Sequence, residues 1–270
     1  KTLGIWAFLL LLFHNLGALI LRKKKLNTIA SFQSIGMGMG ATMLTLFLVG
    51  LTNHMTPVAV WSAIIVLFAL GLSKLSLLLK WLWKSKKEIP FDKLKWWTIP
   101  VFLVFGITLS LNFIESFKPF AIGFDSMVLY HNTPNLLAQY QGLISGIAAY
   151  NYELLFSLGV FLFDSRMIGL SISLLGALLA VGLLFELLRK QFNWQEALML
   201  TTLFVSLPMN HFMMYIDLKI DLPLLFFSLL AIYSIVKWWK KREQNELILA
   251  GIWLGIGMGI KYTTAILMAV

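Results

Sequence analysis

One polar segment, residues 123–134, carries a carboxylate, a phenol and an imidazole within a strongly apolar chain. These groups belong to Asp125, Tyr130 and His131. A carboxylate at a membrane-edge pocket can take a proton from an incoming hydroxyl or amine while a leaving group departs from the other face. One base suffices for inversion at a sugar carbon, because no covalent intermediate needs a second carboxylate. Asp125 is therefore the candidate general base.

Each of these side chains also has an ordinary structural interpretation. Asp125 could be a solvated loop acid or could cap a helix that begins near Ser126. Tyr130 could be an interfacial anchor, which is common at membrane edges, and His131 could be a solvated residue near the interface. The segment alone does not decide between the two interpretations.

A second polar segment, residues 209–221, contains Asp217 and Asp221 with Lys219 between them. On a helix the two acids would share a face and Lys219 would lie elsewhere. The two acids could bind a divalent cation, although two carboxylates alone form a weak metal signature. A divalent cation is the one cofactor that the sequence suggests. Asp221 also suits a helix N-cap, because Leu222-Pro223 follows it.

A third polar group, Lys261-Tyr262, ends a run that is rich in glycine. Lys261 could simply extend to the membrane surface from a helix end. It could also hold a lipid-linked phosphate at the outer edge of the membrane. The small residues before it would let a lipid chain or a neighbouring helix approach closely.

The composition identifies a polytopic membrane protein. The 270 residues are 59% hydrophobic and 13% charged, with a mean hydropathy of +0.84, whereas soluble domains carry about 25% charged residues. The chain has no cysteine, which excludes disulfides and thiolate metal sites. The net charge of +10 is distributed as membrane topology requires and does not indicate a nucleic-acid partner. We expect a fragment of a longer protein, truncated at its C-terminus, because the apolar run after Lys261 is too short to span on its own.

Eight apolar runs are expected to form membrane helices: Leu3–Leu21, Ser34–Leu51, Val58–Trp83, Trp96–Phe113, Met167–Leu188, Glu196–Leu207, Leu222–Trp238 and Leu247–Ile260. Glycines in the second run, at 36, 38 and 40, favour close helix contact. The run Gly142–Phe163 is ambiguous, because it is apolar but contains several polar side chains near its centre.

Basic residues in short loops mark the cytoplasmic side. If Gly142–Phe163 does not cross, 17 of the 22 basic residues fall on one side, and if it does cross the split becomes 13 to 9. We therefore interpret this run as interfacial or re-entrant. The basic segments are Arg22–Lys25, Lys74–Lys95, Arg189-Lys190 and Lys237–Arg242. The opposite, extracytoplasmic side then receives Asp125, His131, His211, Asp217, Lys219, Asp221 and Lys261.

Three ordered motifs give the chain a resemblance to a known group. They are Gly-Phe-Asp125-x4-Tyr130-His131-x2-Pro134, Tyr215-x-Asp217-x3-Asp221-x-Pro223 and Gly255-x-Gly257-x-Gly259-x-Lys261-Tyr262. In order and sidedness they resemble the integral-membrane glycosyltransferases of the GT-C fold. The branch is the one that uses polyprenyl-phosphate sugars, similar to protein O-mannosyltransferases and lipid A aminoarabinose transferases. The resemblance covers about residues 120–270.

The resemblance implies a catalytic acid in the first extracytoplasmic loop, matching Asp125, followed by a pair of interfacial helices. It implies a sugar donor on a lipid phosphate, for which Lys261 is the candidate cation. The chain departs from the pattern in two ways. The acidic loop follows the fourth span rather than the first, so residues 1–114 look like an added four-helix anchor. Ser126 stands where some branches have a second acid, which weakens the transfer of a metal role.

The resulting hypothesis is an all-α, polytopic transmembrane helical bundle of the GT-C type, with a catalytic region over residues 115–270. It would move a hexosyl or pentosyl group from a polyprenyl-phosphate carrier to a lipid, glycan or protein acceptor, on the extracytoplasmic side of the plasma membrane. The residues expected to bind substrate are Tyr130, His131, Tyr215, Asp217, Asp221, Lys261 and Tyr262, with Asp217 and Asp221 as the metal candidates. The rival hypotheses are a secondary transporter and a non-catalytic membrane subunit of an envelope-assembly complex.

Overall fold

A computed structural model describes residues 2–85, 95–115, 123–144, 150–215 and 219–269, and throughout these ranges the regular structure is helical. The helices are α1 (Thr2–Ile20), α2 (Thr28–Leu51), α3 (Pro57–Gly71), α4 (Leu75–Ser85), α5 (Thr98–Glu115), α6 (Asn132–Tyr140), α7 (Asn151–Phe163), α8 (Met167–Leu188), α9 (Trp194–Ser206), α10 (Pro208–Tyr215), α11 (Asp221–Lys241), α12 (Gln244–Ile260) and α13 (Ala265–Met268). The prediction of an all-α helical bundle is confirmed.

Helix lengths agree with a multi-pass membrane protein. In the described part of the chain, five helical segments are long and apolar enough to cross a membrane: α1, α2, α3 with α4, α8 and α11. The α9–α10 pair is a sixth candidate, bent by 65° at Leu207. Pro208 begins α10 and cannot continue the hydrogen-bond ladder of α9, which accounts for the break. Helix α5 is apolar but shorter.

The described basic loops meet at one end of the bundle, which we call the basic end. The Lys74 ammonium donates to the Lys23 carbonyl at 3.2 Å, so the ends of α1 and α3 lie together. Lys190, after α8, lies 4.3 Å from the centre of the Tyr233 ring in α11. Lys237 pairs with Glu243 and Glu246 at the turn between α11 and α12. This convergence agrees with the charge pattern on which the predicted topology rests.

Glycines allow α1 and α2 to cross at backbone contact. A side chain on Gly38 would overlap the carbonyl oxygen of Phe13, and one on Gly17 would overlap the carbonyl oxygen of Ser34. Only glycine permits so close an approach. The close contact that the sequence predicted for this glycine run is confirmed.

Helix α2 also packs against the C-terminal part of the chain. A Cβ on Gly36 would lie 2.7 Å from Leu230 of α11 and 3.3 Å from Trp253 of α12. Phe32 of α2 lies edge-on to Phe226 of α11. The buried apolar side chains of both halves form one continuous core. The boundary at residue 114 between an anchor and a catalytic region stays a prediction.

Helix α7 is a short helix that folds back on α8. Its 13 residues extend about 20 Å, which is less than the roughly 30 Å of a bilayer core. The Tyr152 hydroxyl at its start donates to the Ile172 carbonyl of α8, whereas Gly159 near its end accepts from the Ser165 amide. The two helices are therefore antiparallel, with α7 alongside only the first half of α8. This geometry agrees with the interpretation of Gly142–Phe163 as a segment that does not cross.

Candidate active site

Asp125 lies in a helical turn that continues into α6. A π-helical turn spans Ser126–Tyr130, and the His131 amide donates to the Ser126 carbonyl at 2.7 Å. The sequence predicted a polar loop here, and the apolar run after Asp125 instead keeps the backbone helical. The Asp125 side chain makes no capping hydrogen bond, so the capping interpretation is wrong.

The Asp125 carboxylate forms an ion pair with the Lys219 ammonium. The lysine is the more buried partner, with 16% of its side chain exposed against 43% for Asp125. The Lys219 backbone is fixed as well, because its carbonyl accepts a hydrogen bond of 2.6 Å from the Ser173 hydroxyl of α8. The pair therefore presents a partly exposed carboxylate on a firmly held cation.

A second ion pair joins the start of α11 to the end of α12. The Lys261 ammonium, directly after α12, donates to the Asp221 carboxylate at 2.7 Å, and about a third of each side chain is exposed. Asp221 is the first residue of α11 and Ile220 is its N-cap residue. The N-cap interpretation of Asp221 is therefore wrong by one position, and its carboxylate binds Lys261 instead.

The two ion pairs are neighbours. Only Ile220 separates Lys219 from Asp221, so their backbones lie within about 7 Å of each other. Ser173, which holds Lys219, is six residues into α8, so the cluster lies about 9 Å along that helix from its start. The two pairs thus follow one another along the chain at the end of the bundle opposite the basic end, and we call them together the site cluster.

The other predicted site residues differ in position. Tyr130 is 7% exposed and belongs to the apolar core, whereas Tyr262 is 63% exposed beside Lys261. His131 is partly buried. Burial lowers the pKa of the His131 imidazole below its ordinary value, and the guanidinium of Arg166 lowers it further. The neutral form of the His131 imidazole is therefore favoured, and in that form it can accept a hydrogen bond from a substrate hydroxyl.

Three predicted residues cannot be placed at the site cluster. Asp217 lies outside the described residues, and so do the side chains of Tyr215 and His211. The sequence argument assumed one helix that carries both Asp217 and Asp221. Residues 219 and 220, which lie between them, are not helical, so that assumption is wrong at these two residues. Within the described ranges, no three metal-ligating side chains come together. The divalent-cation site stays a prediction.

Lys219 is the main site residue that the sequence did not assign to the site. The charge pattern placed it on the same side as Asp125, and it is one of only five basic residues outside the basic segments. That isolation is the signal that could have identified it. Arg166, beside His131, shares this feature.

Comparison with known proteins gives one match. Residues 147–270 match the family model of the dolichyl-phosphate-mannose-protein mannosyltransferases. The matched region includes Lys219, Asp221 and Lys261, and it begins after Asp125. No curated protein and no solved structure matches the chain. Over residues 147–270, therefore, the chain is similar to membrane glycosyltransferases of the GT-C type, which supports the resemblance that its motifs predicted, and its long apolar helices agree with a multi-pass membrane protein.

Proposed function

We propose that this protein transfers a sugar from a polyprenyl-phosphate carrier to an extracytoplasmic acceptor, with Asp125 as the general base. The observation that carries the proposal is the site cluster, in which Asp125 pairs with Lys219 and, two residues along the chain, Asp221 pairs with Lys261. A sugar phosphate requires this combination, because the base must act next to groups that stabilise the departing phosphate.

The reaction breaks the bond between the anomeric carbon and the phosphate oxygen. An acceptor hydroxyl or amine attacks the opposite face of that carbon, and its proton passes to the Asp125 carboxylate. The carrier leaves as polyprenyl phosphate, which carries one more negative charge than the donor did. Lys261 and Lys219 supply the positive charge that stabilises it.

Donor binding has a direct consequence for both ion pairs. A phosphate placed between Lys219 and Lys261 competes with Asp125 and Asp221 for the two ammonium groups. Each carboxylate is at least a quarter exposed, so it can separate from its lysine without being left in an apolar environment. The release of Asp125 from Lys219 frees its oxygens to accept the proton of the acceptor.

Asp221 then has two proposed roles. In the free protein it holds Lys261 in place. A divalent cation bound by Asp221 and Asp217 would release Lys261 towards the phosphate. Either role keeps Asp221 in the donor site and leaves proton transfer to Asp125.

The membrane sidedness of the proposal rests on the basic end. Arg22–Lys25, Arg189-Lys190 and the described part of the other two basic segments face the cytoplasm by the positive-inside rule. The site cluster lies at the opposite end and so faces outwards. We place the protein in the plasma membrane, where a site that faces outwards would use carrier-linked sugars at the outer surface.

A turnover assay tests the proposal. The full chain is reconstituted in liposomes with polyprenyl-phosphate sugars of several kinds, and release of free polyprenyl phosphate is measured. The proposal expects release from at least one donor, together with labelled acceptor. Uptake of a solute without consumption of any donor would instead support a secondary transporter. A third outcome would support a scaffold subunit: no polyprenyl phosphate is released, no solute is taken up, and a stable complex is recovered from native membranes.

A further inference from the structure

A polar pocket lies at the basic end, where α2 begins and α8 ends. It has a volume of about 230 Å³. Its lining comes from the first turn of α2, from the last turn of α8 with the residues that follow it, and from α11. The lining residues include Thr28, Ile29, Glu186, Arg189, Lys190 and Tyr233. Three helices thus surround a space that can accommodate a phosphate group.

This polar pocket carries an excess positive charge. Glu186 accepts a hydrogen bond of 3.1 Å from Arg189, so these two charges offset each other. Lys190 has no carboxylate partner in the described ranges of the chain, and its ammonium lies 4.3 Å from the centre of the Tyr233 ring. An aromatic ring attracts a cation without neutralising its charge. The Lys190 ammonium is therefore held in place and available to an anion.

The first turn of α2 adds hydrogen-bond donors. The Asn27 side chain caps this helix and accepts from the Ala30 amide at 2.8 Å. The amides of Thr28 and Ile29 precede the first intrahelical hydrogen bond and have no acceptor among the residues that the structure describes. The last carbonyls of α8 accept from the amides of residues 189–192. The pocket therefore offers free amides but no free helix carbonyls to an anion.

An apolar pocket adjoins the polar pocket at Thr28, which lines both. It has a volume of about 400 Å³ and lies between α1, α2 and α4. Its lining includes Leu11 of α1, Phe32 of α2 and Trp81 of α4. The two pockets together place a cationic space for an anion next to an apolar space for a hydrocarbon chain.

A buried imidazole lies in the wall of the apolar pocket. His14 of α1 lines this pocket and is 2% exposed. Its Nδ1 lies 3.2 Å from the side-chain amide of Asn15, and its Nε2 has no hydrogen-bond partner in the described part of the chain. A buried polar atom without a partner is costly unless a ligand supplies one. When Asn15 donates to Nδ1, Nε2 carries the proton and can donate to an ester carbonyl of a lipid.

We propose that these two pockets bind one anionic phospholipid from the leaflet at the basic end. Its phosphate would lie between Arg189, Lys190 and the first amides of α2, and one acyl chain would lie against Phe32 and Trp81. A soluble anion would occupy the polar pocket alone, and a neutral lipid would leave Lys190 without a counter-charge. An anionic phospholipid is complementary to both pockets, and basic pockets between membrane helices on the cytoplasmic side suit such headgroups.

This lipid site goes beyond the proposed function. It lies at the end of the bundle opposite the site cluster, and sugar transfer does not depend on it. The apolar pocket belongs to α1, α2 and α4, which precede residues 147–270, whereas Arg189, Lys190 and Tyr233 lie within this matched region. A bound lipid would therefore connect the N-terminal helices to the part of the chain that matches the family.

Photo-crosslinking in nanodiscs tests the proposal. The full chain is reconstituted in phosphatidylcholine with a trace of phosphatidylglycerol that bears a diazirine in one acyl chain. We expect adducts on peptides of α1, α2 or α4 that unlabelled phosphatidylglycerol displaces and additional phosphatidylcholine does not. Adducts confined to other helices, or equal displacement by the two lipids, would overturn the inference. Displacement by millimolar inorganic phosphate would also overturn it, because the site would then bind a free anion.

Lys190→Gln tests the polar pocket, with Lys240→Gln as the matched control. Each variant removes one positive charge from the basic end, and Lys240 is exposed and lines neither pocket. Lys190→Gln should weaken phosphatidylglycerol binding by about tenfold, because a charge-assisted hydrogen bond to phosphate is lost. Lys240→Gln should stay within about twofold of wild type. Equal weakening in both variants would reduce the effect to general membrane charge and refute the site.

Ala7→Leu tests the apolar pocket, with Ala69→Leu as its control. Both alanines are exposed on their helices, so both variants are expected to fold, and Ala7 lines the apolar pocket whereas Ala69 does not. Displacing one methylene group of the acyl chain corresponds to about fourfold weaker binding in Ala7→Leu. Wild-type binding in Ala7→Leu would refute the placement of the chain. These measurements need no sugar transfer, so their outcome is independent of the proposed function.

Discussion

The carboxylate of Asp125 pairs with the ammonium of Lys219, which lies 94 residues later in the chain. This contact joins the turn before α6 to the segment before α11, and Ser173 of α8 holds the lysine backbone. Two segments that are far apart in sequence therefore meet at one recess. The proposed base is held by the same cation that we expect to bind the donor phosphate.

The first prediction concerns Lys219. Lys219→Met should lower kcat/KM for the lipid-linked donor by about 10- to 100-fold, because a hydrogen-bonded charge partner is lost. Lys219→Arg keeps the positive charge and should retain most of the activity. The measurement is steady-state turnover with kcat and KM determined separately.

A double variant distinguishes coupling from loss of structure. If Lys219 acts through Asp125 and the phosphate, Asp125→Asn with Lys219→Met should be little worse than Asp125→Asn alone. Wild-type turnover in Lys219→Met would show that Lys219 has no role in the reaction.

The second prediction concerns the phosphate. Lys261→Met should raise the KM for the donor by about 10- to 100-fold, since one charge-assisted hydrogen bond to phosphate disappears. Lys240→Met is the control, because Lys240 is an exposed lysine at the basic end. The comparison is made by donor titration in the same liposomes. A KM that rises equally in both variants would point to a general effect of charge at the membrane.

The third prediction concerns sidedness. The chain has no cysteine, so single cysteines can be introduced cleanly. Met127 is 60% exposed close to Asp125, whereas the adjacent Ser126 is fully buried. Met127→Cys should react with a membrane-impermeant thiol reagent on intact cells, and Lys240→Cys should react only after lysis. The reverse pattern would place the site cluster in the cytoplasm and invert the proposed topology.

The fourth prediction concerns the crossing of α1 and α2. Gly38→Ala should destabilise the fold, because the new methyl group overlaps the carbonyl oxygen of Phe13 and the backbone can yield only if the helices separate. The cost of such overpacking is about 1–3 kcal/mol. Gly106→Ala is the control, since it meets no neighbouring atom within 4 Å. Thermal unfolding in detergent should show a lower midpoint for Gly38→Ala alone.

Hydropathy and charge predicted five of the eight expected spans, and a sixth if the bent α9–α10 pair is one span, whereas α5 and α12 are not among the candidate spans in the described part of the chain. They work because the bilayer imposes helix length and because loop charge follows topology. The run Ser34–Leu51 was predicted as a span whose glycines allow close helix contact, and α2 has both features. The sequence could not show that Gly38 contacts α1 while Gly36 and Gly40 contact α11 and α12, because periodicity gives the apolar character of a helix and not its neighbour.

For a related reason, the sequence could not predict which charged side chains form ion pairs with each other. Lys219 pairs with Asp125 because of how α8, α11 and the turn before α6 are arranged, and no local pattern encodes that arrangement. Asp221 illustrates a smaller limit. A shift of one residue in the start of α11 converts an expected N-cap into a residue whose carboxylate is available to Lys261.

Turnover by Asp125→Asn tests whether Asp125 is the general base. Asparagine keeps the shape of the side chain and removes its capacity to accept the acceptor proton. Asp164→Asn serves as the control, because Asp164 is an exposed acid in a left-handed turn that asparagine tolerates. We expect Asp125→Asn to lower kcat by about 10²- to 10⁴-fold while expression and donor binding persist, and Asp164→Asn to match wild type. Retention of wild-type kcat in Asp125→Asn would contradict the assignment of Asp125 as the base.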